Sequence, residues 1–84
     1  MIPFGEMTDD VDDKIKIARS RLLIDHPFFG ALAMRLTPQR MDGIGTMGTD
    51  GQRLIYDPNF VKDALVRDLM AVIAHEVLHA ALGH

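Results

Sequence analysis

Residues 65–79 read Leu65-Val66-Arg67-Asp68-Leu69-Met70-Ala71-Val72-Ile73-Ala74-His75-Glu76-Val77-Leu78-His79, and their pattern decides how the rest of the chain is organised. Leu65, Val66, Leu69, Met70, Val72, Ile73, Val77, Leu78 and Leu82 lie almost all round a helical axis. They predict a helix from about Ala64 to Leu82, enclosed on most sides, with Asp63 as its N-cap. At 3.6 residues per turn, His75 and His79 are about 40° apart around that axis and one turn apart along it, so both rings reach one point. Glu76 lies about 100° round from His75. Two histidines and a glutamate inside an enclosed helix are costly unless they have partners. Asp68 shares the histidine side but stands too far back to join them, and it suits the helix start as a charge.

This spacing fits a particular chemistry. Neutral imidazoles bind Zn²⁺, the ion acidifies a bound water towards a pKa of about 7, and an adjacent carboxylate takes the proton and returns it to a leaving amine. His75 and His79 are thus candidate metal ligands and Glu76 the candidate catalytic base. The competing reading makes the histidines ordinary helix residues and Glu76 a solvated one. The chain contains no cysteine, so a disulfide framework and a thiolate site are both excluded, and zinc would have to be held by His, Asp or Glu.

With 84 residues, 48% of them hydrophobic, the chain is long enough for one small domain with a modest core. A formal charge of −3 without a dense Lys/Arg block argues against nucleic acid as the main partner. Met1-Ile2-Pro3-Phe4-Gly5-Glu6 lacks a basic segment followed by an apolar run, which leads us to expect a cytoplasmic protein. The apolar run Leu69 to Ala74 is far short of the roughly 20 residues that span a bilayer, so no membrane partner is expected.

Upstream, Thr8 or Asp9 can cap a first helix running through Lys14 to Ile24, with Val11, Ile15, Ala18 and Leu22 as its apolar stripe. Asp25-His26-Pro27 interrupts it, because the residue before proline is pushed out of the helical region; Phe28-Phe29-Gly30 opens a new segment. His26 reads as a structural turn residue or cap. Three short strands are expected, from Leu32-Ala33-Met34-Arg35-Leu36, Ile44 to Thr49, and Gln52 to Tyr56, the last two forming a hairpin through Asp50-Gly51. Glycines 43, 45 and 48 mark either bulges and close approach of a substrate backbone or a flexible hairpin arm. Asp57-Pro58-Asn59 ends the sheet. Asp50 and Asp57 read as turn residues, not as ligands. The class is therefore α+β: N-terminal helices, a sheet of about three strands, and a C-terminal helix bearing the site.

Leu22-Leu23-Ile24-Asp25-His26-Pro27-Phe28-Phe29-Gly30, Thr49-Asp50-Gly51, Tyr56-Asp57-Pro58-Asn59-Phe60-Val61 and Ala74 through His84 together resemble the metallopeptidase domain that precedes a von Willebrand A-like domain in bacterial and phage proteins. The resemblance implies a zincin-like fold, zinc as cofactor, His75 and His79 as ligands, Glu76 as general base and a peptide or protein as substrate. It also implies a longer protein: residues 1–84 would be one N-terminal domain, with a von Willebrand A-like domain as a C-terminal neighbour. Zincins usually take a third protein ligand from chain after the motif helix. His84 is the downstream candidate; on an unbroken helix it points about 180° away from His75, and Gly83 can break the helix and swing it back.

Two functions follow as expectations. One is a zinc-dependent metallopeptidase domain that hydrolyses peptide bonds through a zinc-bound water, with an extended peptide added to the hairpin's edge strand. The other is a catalytically inactive zincin-like binding or regulatory module. A homo-oligomer formed through exposed methionines, Met34, Met41 and Met47, is a further expectation.

Overall fold

A computed structural model of the chain describes residues 10–83. Thr8, Asp9 and His84, named above as caps and ligand, lie outside the described residues. Four helices and three strands follow in the order α1 (Asp10–Asp25), α2 (Pro27–Met34), β1 (Thr37–Arg40), β2 (Met47–Thr49), β3 (Arg53–Tyr56), α3 (Pro58–Asp63) and α4 (Val66–Leu82). The class is α+β. No helix among the described residues is long and apolar enough to cross a membrane.

On α1 the stripe Val11, Ile15, Ala18 and Leu22 is buried, as its spacing predicts. Pro27 occupies the first turn of α2, where its missing N–H costs no hydrogen bond. His26 stands at the N-cap position without a side-chain cap bond. At Gly30 the two helices meet backbone to backbone: a Cβ there would overlap the Leu23 backbone and lie 2.8 Å from the Leu22 carbonyl carbon.

The segment Leu32-Ala33-Met34-Arg35-Leu36, expected as a strand, is instead the end of α2 and its C-terminal turn. Helix-favouring Ala31, Leu32, Ala33 and Met34 behind Pro27 outweigh five residues of weak alternation. The first strand begins after them, at Thr37. The sheet order is β1-β3-β2, with β1 parallel and β2 antiparallel to β3. All four residues of β1 are exposed, and Pro38 is tolerated because this strand is an edge.

Pairing of Met47 with Tyr56 and of Thr49 with Leu54 puts Met47, Leu54 and Tyr56 on one face, where all three join the core. Met47 is only 3% exposed, so it is core and not the surface contact expected of it, whereas Met34 and Met41 are exposed. The β2–β3 connection is longer than a two-residue turn. Asp50 accepts hydrogen bonds from the Gln52 and Arg53 amides and pairs with the Arg53 guanidinium at 2.8 Å.

Asp57 organises the other end of the hairpin. It is 3% exposed, caps α3 through the Asn59 amide, and accepts from the amides of Gly43 (3.1 Å) and Gly45 (2.8 Å). Both glycines have positive φ, 88° and 70°, which presents their N–H groups to one carboxylate. The Gly43–Gly45 loop is thus fastened by Asp57 and is not a loose arm.

The last helix begins later than expected. Asp63 ends α3, Ala64 and Leu65 are extended, and Leu65 occupies the N-cap position of α4 without a side-chain cap. Lys14 holds this junction by donating to the carbonyls of Val61 (3.2 Å), Lys62 (2.7 Å) and Ala64 (2.8 Å). Arg19 acts likewise at the end of α2, donating to the carbonyls of Ala33 and Leu36. Both place a cation at the negative end of a helix.

Burial of α4 is confined to one stripe, Leu69, Ile73 and Val77. Leu65, Leu78 and Leu82 are 55%, 40% and 61% exposed, so the helix is not enclosed on most sides. Its core contacts come from one direction, from α1, α2 and β2, and a single apolar stripe suffices to meet them.

Candidate active site

One consequence is that His75 and His79 stand on the open side of α4. His75 lies about 200° round the axis from buried Ile73, and both histidines are exposed. Their Nε2 atoms are 2.9 Å apart, and the rings meet edge to face with centroids 4.4 Å apart. With the ring proton of each imidazole on Nδ1, both Nε2 lone pairs are free to face a common point. Zinc–imidazole bonds of about 2.0–2.1 Å in tetrahedral geometry separate the nitrogens by about 3.3 Å, so a small rotation of either ring suffices for the pair to share an ion. The donor set fits a divalent metal such as zinc, as two of its ligands.

Glu76 faces a different direction from the histidines. It is half-buried, and its Oε2 lies 4.0 Å from the position a Cβ would take on Gly48 of β2. The absence of a side chain at Gly48 leaves room beside this carboxylate. A cleft of about 560 Å³ opens there, between Thr49, Asp50 and Gly51 of the hairpin and Glu76, His79 and Ala80 of α4, reaching to Gly83. His75 adjoins it through His79.

Gly83 ends the helix with φ 77°, a left-handed cap whose N–H turns back to the Ala80 carbonyl at 3.3 Å. Asp57 is taken up by the Gly43–Gly45 loop. Asp50 lines the cleft, but its oxygens serve Gln52 and Arg53; those backbone and side-chain hydrogen bonds lower its pKa to about 2. No group of three or more potential ligands is arranged around one point among the described residues.

A family described as "putative metallopeptidase domain" matches residues 10–84. The chain belongs to that family. No curated protein and no solved structure matches it. The family match runs from α1 to His84, so it takes in the helical pair, the hairpin and the His-Glu-x-x-His helix together. Membership of a metallopeptidase family implies a metal cofactor. The turn residues Thr49, Asp50 and Gly51 line the cleft as well. Their part was not evident beforehand, since only the folded hairpin brings them opposite Glu76.

Proposed function

We propose that the chain is a zinc-dependent peptidase domain in which His75 and His79 are metal ligands, His84 is the candidate third ligand and Glu76 is the general base. The observation that carries this reading is the 2.9 Å approach of the two Nε2 atoms, with His79 and Glu76 lining one open cleft. Zinc, when bound, would supply Lewis acidity to the peptide carbonyl and to the attacking water. Glu76 would take the proton from that water at a carboxylate oxygen and pass it to the leaving amine. Half-burial against β2 limits the positions open to its carboxylate, and Gly48 keeps space for the substrate backbone. In the sheet order β1-β3-β2, β2 is an edge, so an extended peptide would add to it by main-chain hydrogen bonds.

Replacement of Glu76 by Gln tests this. The variant is expected to retain zinc and to lose cleavage of unfolded protein substrates; cleavage at the wild-type rate would remove Glu76 from the mechanism. A second reading, a zincin-like binding or regulatory module, draws on the two-donor count among the described residues. It requires that wild type, loaded with zinc, bind peptides without cleaving them.

A further inference from the structure

A second cleft, of about 480 Å³, opens on the far side of the Gly51 turn. It shares Gly51 and Ala80 with the cleft that holds Glu76 and His79, so the two adjoin where the hairpin turn meets the C-terminal half of α4. Leu32, Leu36, Val77 and Ala81 give the second cleft an apolar side, Thr37 and Gln52 a polar one, and the one charged side chain on it is Arg35. Arg35 is the C-cap residue of α2 and is exposed. Unlike Arg19 and Arg53, its guanidinium makes no hydrogen bond or ion pair among the described residues.

Arg35 offers the second cleft a planar fork of donors suited to binding a carboxylate through two hydrogen bonds. The apolar side of the cleft suits the methylenes that carry such a group.

We propose that this cleft is a specificity subsite for a peptide carboxylate, held by Arg35 while the neighbouring peptide bond lies at Glu76. The proposal rests on the peptidase reading. The carboxylate belongs either to an acidic side chain, glutamate filling the cleft better than aspartate, or to the peptide's C-terminus. Arg35 is here a binding residue that selects substrate and takes no part in bond cleavage.

The test uses a quenched fluorescent peptide series with Glu, Gln or Lys at each position flanking the cleaved bond, each with a free or amidated C-terminus. With the zinc-loaded chain, kcat/KM is expected to be about tenfold higher for a carboxylate peptide than for its amide counterpart, equivalent to about 1.4 kcal/mol. Preference for Glu in amidated peptides identifies the side chain; preference for the free acid whatever the side chains identifies the terminus. Arg35→Ala should erase the preference, bringing kcat/KM for the carboxylate peptide down to that of its amide counterpart, and Arg35→Glu should favour Lys. Equal rates for Glu and Gln, acid and amide, or a preference that survives Arg35→Ala, would overturn the proposal while leaving the peptidase reading intact. If no peptide is cleaved, the peptidase reading fails, and fluorescence anisotropy with the same peptides decides the subsite. Arg35-dependent preference for the carboxylate peptides upholds it, and its absence overturns it.

Discussion

The Glu76 carboxylate stands against Gly48, its Oε2 4.0 Å from where that residue would carry a Cβ. A methyl group meets the carboxylate at ordinary van der Waals distance, and the further carbons of a branched side chain would press on it. Gly48→Ala is therefore expected to fold and work nearly as wild type. Gly48→Val should lower kcat by on the order of tenfold to a hundredfold by displacing Glu76, with zinc content unchanged. Peptide turnover and elemental analysis on the two variants check this; equal turnover would separate Gly48 from the site.

The α1–α2 pair depends on Gly30. Because a Cβ would collide with the Leu23 backbone and not with a movable side chain, Gly30→Ala should destabilise the fold by about 3 kcal/mol. Urea unfolding measures it. A change below about 0.5 kcal/mol would mean that the helices part at little cost.

Lys14→Met keeps the length of the aliphatic stem but removes three donations to the carbonyls that close α3. Hydrogen bonds from a charged group contribute about 1.5–3 kcal/mol, so a loss of about 2 kcal/mol is expected, with α3 and the start of α4 first to exchange amide hydrogens. Uniform exchange protection, as in wild type, would contradict this.

Acid should loosen the hairpin from both ends. Amides of Gly45, Asn59 and Gly43 depress the Asp57 pKa, and those of Gln52 and Arg53, with the Arg53 side chain, bring Asp50 to about 2. A carboxylate with a depressed folded-state pKa contributes stability that is present above the unfolded value of about 3.9 and lost as pH falls through the folded value. The urea midpoint should therefore fall between about pH 4 and pH 2. In Asp57→Asn, less stable at neutral pH, that slope should be shallower. An unchanged slope would show that Asp57 does not carry it.

Much of this architecture was legible before folding because it rests on local spacing. The stripe Val11, Ile15, Ala18 and Leu22, the break at Asp25–Pro27 and the β2–β3 hairpin all follow from periodicity and turn chemistry. The run from Leu32 to Leu36 misled because five residues of alternation do not separate a strand from a helix end. The start of α4 was misplaced because Lys14, 50 residues before Ala64, holds the junction there. The open outer side of α4 depends on what packs against it, and apolar residues all round an axis do not specify that. At the site, the motif's spacing anticipated the convergence of His75 and His79. The Gly48–Glu76 approach and an Arg35 without a partner among the described residues exist only once the hairpin and α2 are packed on α4.

The central claim, that His75 and His79 share a zinc ion, is tested most directly by elemental analysis of protein purified without added metal. Wild type is compared with His75→Ala and His79→Ala. The account predicts roughly one zinc per chain in wild type and a loss of most of it in either variant, with the fold retained because both side chains are exposed. Zinc retained in both variants, or absent from wild type even after incubation with the metal, would contradict it.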